Sequence, residues 1–290
     1  EYMFDSIIEF ITDLLNGSLL FQGGIAIWNG LIGYAWDILQ TNPQALADGM
    51  LWDTVDGVFQ LLQIVGASLM TVLFLINFVK ETADIRHNTT LESAFVMIMK
   101  LIIGNVVLLN LKEIILLIVS MEQNLLEIVA PSGNASLQLT IPGLDDWEIS
   151  VQGTILGMMM GLLFVIVAIA GVIVILWTAY GVFFKIFFYI ATAPLAMSTI
   201  LGTQGMSHSA YAWIKTFLCA LGEIAGIVLV LRLGAALINA QGFFPSMPSG
   251  GVWDILGPQV WGGLQCTLSI IVITGTMKSV DSMIRRAFGF

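Results

Sequence analysis

The stretch that decides the fold is ISVQGTILGMMMGLLFVIVAIAGVIVILWTAYGVFF, residues 149–184, because its 36 consecutive residues carry no charge. A bilayer core of about 30 Å is crossed by roughly 20 helical residues. As one helix the stretch would be about 54 Å long, so it must tilt, protrude or break. It predicts a membrane-spanning helix that opens at Trp147, whose ring suits the membrane interface.

The composition of the whole chain agrees with this prediction. Hydrophobic residues make up 58% of the sequence, charged residues only 10%, and the mean hydropathy is +0.93. A soluble fold of 290 residues could not enclose so much apolar surface. The net charge is −10 and basic stripes are absent, so any contact with nucleic acid must be local or indirect.

No motif for catalysis or for a cofactor occurs in the sequence. Cys219 and Cys266 lie in apolar runs, and they are the only two cysteines. His87 and His208 lack the spacing of a metal site, and no glycine-rich phosphate loop is found. We therefore expect no enzyme activity, no metal and no cofactor, and any energy for work must come from a partner.

The positive charges predict the topology. Residues 1–79 contain eight acids but no Lys or Arg. Loops rich in Lys and Arg stay on the cytoplasmic side of a membrane. The sequence therefore predicts an all-α, polytopic membrane protein with about five transmembrane helices, its N-terminus outside and its C-terminus inside. The predicted spans are residues 58–79, 91–111, 149–184, 217–238 and 257–277.

The same charge map divides the chain into two predicted domains. Residues 1–57 form an extracytoplasmic, amphipathic segment, although the uncharged run 14–36 is long enough to cross a bilayer. Residues 58–290 form the transmembrane domain of five helices. The parts between its spans include an external loop at 112–148, a cytoplasmic segment at 185–216 and an external loop at 239–257.

Three apolar pieces outside these spans need separate predictions. Residues 113–129 are expected to form a helix that lies on the membrane surface or continues the second span. Residues 136–141 alternate as a short strand would. If the uncharged run 186–207 crossed the membrane alone, Lys278 would lie outside, against the preference of Lys and Arg for the cytoplasmic side. Pro194 also favours a broken or re-entrant segment on the cytoplasmic side.

Charged residues within the predicted spans are the first candidates for function. Glu223 and Arg232 both lie in the fourth span, where an unpaired charge costs several kcal/mol. They are nine residues apart and so face opposite sides of one helix, which prevents them from pairing with each other. Either they line an aqueous path or bind a neighbouring subunit, or Arg232 reaches outward while Glu223 hydrogen-bonds within the bundle. Lys100, in the second span, reaches to the interface or faces protein.

Small residues at four-residue spacing are candidates for helix packing. They are Gly153, Gly157 and Gly161 in the third span and Gly222 and Gly226 in the fourth. Glycine lets two helices approach closely in lipid. The contact is made either within the chain or between subunits of a homo-oligomer.

Two segments near the middle of the chain resemble a known family. They are KIFFYIATAPLAMSTILG, residues 185–202, and HSAYAWIKTFLCALGEI, residues 208–224. Together they resemble the TrbL-like polytopic channel subunits of conjugative type IV secretion systems, particularly those on mobile elements of Gram-positive bacteria. The shared pattern is a long third span ending at Lys185, an Ala-Pro-Leu-Ala segment containing Pro194, and Trp213 followed by Lys215 before the next span.

The resemblance implies a role in DNA transfer. It implies a multi-pass, homo-oligomeric channel subunit in the bacterial cytoplasmic membrane, with membrane lipid, other secretion subunits and an ATPase as partners. It also implies transient contact with exported single-stranded DNA or its relaxase. Five spans with an external N-terminus match the family as well.

Two other classes of function stay open from the residues alone. A small-solute transporter or ion channel acting alone is favoured by the broken segment at 186–207, because broken helices often form substrate sites. No inverted repeat between the two halves supports it, however. The other class is a structural scaffold whose charged spans only bind neighbours.

Overall fold

Every regular element in the described part of the chain is a helix. The computed structural model describes residues 17–83, 91–129, 138–141, 154–201, 204–239, 247 and 249–289. The helices are α1 (Ser18–Gln40), α2 (Met50–Ala83), α3 (Leu91–Leu109), α4 (Leu111–Val129), α5 (Thr154–Ser198), α6 (Gln204–Asn239) and α7 (Val252–Ala287). Short 3₁₀ turns occupy Leu46–Gly49 and Thr199–Leu201. The prediction of an all-α fold is therefore confirmed for these residues.

Several of the helices have the length and composition of membrane spans. Four of those described, α2, α5, α6 and α7, are long and apolar enough to cross a bilayer, and α3 with α4 would make a fifth if that bent pair is one span. Large apolar side chains cover their outer faces, for example Ile64 at 69% exposed and Ile155 at 72%. In water such surface would be costly, whereas lipid solvates it. This architecture is compatible with a multi-pass membrane protein.

The longest helix, α5, continues well beyond its uncharged core. Its 45 residues correspond to about 67 Å, and it passes without a break through Lys185 and Pro194 to Ser198. The uncharged run 186–207 is broken, as predicted, but the break falls at Thr199–Leu201 and not at Pro194. A proline removes one helix hydrogen bond, and close protein cover stabilises the helix there.

The bend between α3 and α4 exposes backbone carbonyl groups that α2 then binds. The two helices differ in direction by 60°. The Gln63 side-chain amide of α2 donates hydrogen bonds to the carbonyl oxygens of Leu108 at 2.8 Å and Leu109 at 3.4 Å. Just after the bend, Lys112 and Asp56 form an ion pair with an N–O distance of 2.5 Å. The helix predicted at 113–129 is confirmed, and it is held to α2 at its start.

The short strand predicted at 136–141 is wrong for its described part, residues 138–141, which is irregular. The alternation reflects burial, since Leu139 and Ile141 are buried while Gln138 and Thr140 are exposed. Asn29 of α1 replaces a strand partner, because its side-chain oxygen accepts the Leu139 N–H at 2.7 Å and its side-chain nitrogen donates to the Leu139 carbonyl at 3.1 Å. Residues 136 and 137 lie outside the described residues.

The chain forms two compact units, and α5, α6 and α7 each contribute to both. The first unit comprises Glu1–Gln40, Val129–Tyr180 and Gly226–Val280. In its core the rings of Phe21 and Phe164 are 5.1 Å apart, which joins α1 to α5. A side-chain atom added at Gly263 would overlap the Phe21 ring, so α7 packs closely on α1 as well.

The second unit comprises Thr41–Ile128, Gly181–Ala225 and Asp281–Phe290. Here α2 meets the end of α5 at Gly66, where an added Cβ would lie 2.7 Å from the carbonyl oxygen of Pro194. Gly104 of α3 allows a similar approach to Leu201. Asn77 of α2 also donates a hydrogen bond to the Leu201 carbonyl at 3.3 Å. These close contacts provide the protein cover around Pro194.

Candidate functional site: a charge network on three helices

A buried ion pair joins α5 to α6 in the second unit. The Lys185 amine donates to both carboxylate oxygens of Glu223, at 3.0 and 2.9 Å. Glu223 is only 3% exposed, whereas the Lys185 side chain is 40% exposed. A carboxylate so deeply buried needs a charged partner, because an unpaired charge in a medium of low polarity is strongly destabilising. Lys185 supplies that charge.

The last turns of α7 extend the pair into a network. The Lys185 amine also lies 3.5 Å from an oxygen of Asp281. The single Nε–H of Arg285, one helical turn along, donates a bifurcated hydrogen bond to the two carboxylate oxygens of Asp281, each at 3.0 Å. Two bases and two acids therefore meet on three helices, and their formal charges sum to zero.

The network has a closed end and an open end. Glu223 is enclosed, whereas the side chains of Asp281 and Arg285 are 37% and 35% exposed. Arg285 also interacts with Tyr189, which lies one turn after Lys185 on α5. Lys185 and Tyr189 on α5, like Asp281 and Arg285 on α7, are four residues apart. Residues at this spacing lie on the same face of a helix, so each helix presents two of its groups to the other.

Two small residues of α6 lie beside the network. Gly222 precedes Glu223 on α6, and an added Cβ there would lie 3.8 Å from Ile284 of α7. Cys219, one turn before Glu223, is buried and 3% exposed. The paired charges on three helices suit the fixing of helix positions.

The other predicted motif residues lie in the same unit but outside the network. Pro194 is buried against Gly66 of α2. Trp213 stacks on Phe217 with their ring centroids 5.2 Å apart, and its buried indole N–H has no hydrogen-bond partner among the described residues. Lys215 is exposed. The two segments of the family pattern thus fold into one unit, in which Lys185 and Glu223 bind each other directly.

Arg232 and Lys100, predicted with Glu223 as pore or subunit-contact residues, are not brought to it. Arg232 is exposed in the first unit, and its guanidinium donates to the Val129 carbonyl at 2.5 Å. Lys100 is exposed on α3 in the second unit. Their proposed roles at a pore or between subunits stay predictions.

The predicted packing glycines differ in their surroundings. Gly157 and Gly161 of α5 lie against Gly17 at the start of α1, and a Cβ added at Gly161 would be 3.0 Å from the Gly17 carbonyl oxygen. Gly17 itself has a φ of 83°, which other residues rarely adopt. Gly226 is half-buried. Gly153 lies outside the described residues.

Sequence reasoning missed Asp281, Arg285 and the partner of Glu223. One available signal was that Lys185 and Glu223 are opposite charges embedded in long apolar runs. A second was the four-residue spacing of Asp281 and Arg285. The burial of Glu122 on α4 could not be predicted from the sequence. This residue is 5% exposed, and one of its carboxylate oxygens has no hydrogen-bond partner among the described residues.

The fold and this network define a class: a protein whose described regular elements are all helices, several of membrane length, three of which are joined by a charge network with Glu223 buried at one end. No group of three His, Cys, Asp or Glu side chains that could hold a metal occurs in the part of the chain that the structure describes. Comparison of the chain with protein-family models, curated proteins and solved structures gives no match.

Proposed function

We propose that this chain is an integral membrane subunit of a conjugative type IV secretion channel in the bacterial cytoplasmic membrane, where it supports export of relaxase-linked single-stranded DNA. The observation that supports this function is the family resemblance of residues 185–202 and 208–224. Those two segments supply Lys185 and Glu223, whose ion pair joins α5 to α6. The residues that resemble the family are therefore also those that fix the helices.

The proposed role is that of a non-catalytic, oligomeric part of the channel. The charges of the network are paired with one another, so they suit a fixed joint between helices better than a filter that binds passing ions. Energy would come from the ATPase of the secretion system, and other membrane subunits would bind the surfaces of this chain.

The proposed orientation follows the positive charges. Lys185, Lys278 and Arg285 lie at the cytoplasmic side, with the N-terminus and the segment around Ser249 outside. In this arrangement α1 is an interfacial helix, and the bent pair of α3 and α4 is the second of five spans. The exposed end of the network then faces the cytoplasm, where the ATPase acts.

Deletion of the gene in a donor strain tests the proposal. Plasmid transfer should be lost and should return when the wild-type chain is supplied from a second copy. Normal transfer by the deletion strain would exclude the secretion function. Loss of solute or ion flux with intact transfer would instead support a transporter or ion channel acting alone.

A further inference from the structure

An apolar groove runs along the surface of the first unit between α5 and α7. Its volume is about 320 Å³, which is within the range of small-molecule sites. Val167, Gly171 and Val174 line it from α5, and Ile270, Gly275 and Lys278 line it from α7. Both helices have the length and composition of membrane spans, so in a bilayer this surface groove would be open to lipid.

Two glycines shape the groove. A Cβ added at Gly171 would lie 2.6 Å from Ile270, so the two helices touch at that point and close the floor of the groove. A Cβ added at Gly275 would meet nothing within 4 Å. The groove is therefore open because Gly275 has no side chain to fill it.

Lys278 lies at one end of this apolar surface. It is exposed and has no ion-pair or hydrogen-bond partner among the described residues, while Asp281, the nearest acid along α7, binds Lys185 and Arg285. Ile270 and Lys278 both line the groove and are eight residues apart on α7, which is a rise of about 12 Å. The apolar part of the groove therefore extends about 12 Å along the helix from Lys278. A lone cation at the end of an apolar groove is complementary to a lipid whose headgroup is negative and whose chain is apolar.

We propose that the groove between α5 and α7 binds an anionic phospholipid, with one acyl chain along Gly171 and Gly275 and the phosphate at Lys278. This site is distinct from the charge network and does not depend on the secretion function. A zwitterionic lipid would fill the same groove but would lack the net negative charge that matches Lys278.

Native mass spectrometry of the full chain in mild detergent tests the site, with phosphatidylglycerol and phosphatidylcholine of equal chain length as probes. The wild type should bind phosphatidylglycerol more tightly. Lys278→Gln should weaken that binding roughly fivefold and leave phosphatidylcholine unchanged. Gly275→Leu should remove the tightest site for both lipids, because its side chain fills the groove while favouring the helix.

Lys100→Gln is the matched control, since it removes an exposed lysine from another apolar helix, and it should retain wild-type lipid binding. Circular dichroism shows whether each variant is folded. If Gly275→Leu does not fold, Lys278→Gln still tests the site, because it changes only an exposed side chain. Equal binding of the two lipids by the wild type, or an unchanged preference in Lys278→Gln, would overturn the proposal. So would a change of oligomeric mass in Gly275→Leu without loss of lipid, because a second copy of the chain would then occupy the groove.

Discussion

Glu223 and Lys185 are unequal partners because their exposure differs. Glu223 is 3% exposed and is paired with Lys185, whereas the Lys185 side chain is 40% exposed and also lies beside Asp281. Removing Lys185 therefore leaves a buried charge alone, while removing Glu223 leaves a lysine that still has solvent and a second carboxylate. The cost of breaking a buried pair depends on which group is left behind.

This asymmetry predicts the stability of three variants. Lys185→Met should lower the free energy of unfolding by about 3 kcal/mol, and Glu223→Leu by about 1 kcal/mol. The double variant should be more stable than Lys185→Met alone, because no buried charge remains unpaired. Thermal unfolding in detergent, followed by the loss of monodisperse protein, measures all three. A double variant no more stable than Lys185→Met would show that the pair does not act as described.

At the scale of the helices, close approach decides how α1 packs on α5. A Cβ added at Gly161 would lie 3.0 Å from both the Gly17 carbonyl oxygen and Cβ of Leu20. A Cβ added at Gly181, on the same helix, would meet nothing within 4 Å. The same substitution can therefore be made on α5 at a crowded glycine, Gly161, and at an open one, Gly181.

Gly161→Leu should lower the free energy of unfolding by about 1–3 kcal/mol, because the new side chain has no room beside α1. Gly181→Leu, the matched control, should be neutral or slightly stabilising, since leucine favours a helix more than glycine does. Thermal unfolding measures stability, and native mass spectrometry measures the oligomer. If Gly161→Leu changes only the oligomeric mass, the glycine face contacts another subunit and not α1.

The sequence predicts the spanning helices well but not their ends. Hydrophobicity reports the part of a helix that lipid covers, whereas backbone hydrogen bonds continue past it. For this reason α2 begins at Met50, before the predicted span at 58, and α7 extends to Ala287, past its predicted end at 277. The pairing of Lys185 with Glu223 could not be read from spacing, because 38 residues and a helix break separate them. Only the packing of α5 on α6 brings them together.

At the scale of the whole molecule, the charge map predicts one orientation in the membrane. A cysteine at Ser249 should react with a membrane-impermeant thiol reagent added to intact cells, and a cysteine at Phe288 should react only after permeabilisation. Both positions are exposed, and the native Cys219 and Cys266 are buried, so the wild type should give little background. Reaction of the Phe288→Cys variant in intact cells would contradict an internal C-terminus.

The most direct measurement of the central claim is plasmid transfer by donor cells that carry Glu223→Leu in place of the wild-type chain. If the ion pair with Lys185 supports a secretion channel, transfer should fall by about tenfold or more at equal protein level, equivalent to about 1.4 kcal/mol in forming the active channel. Glu223→Gln should be milder, because its amide can still hydrogen-bond to Lys185. Wild-type transfer by Glu223→Leu donors with normal amounts of inserted protein would contradict the account.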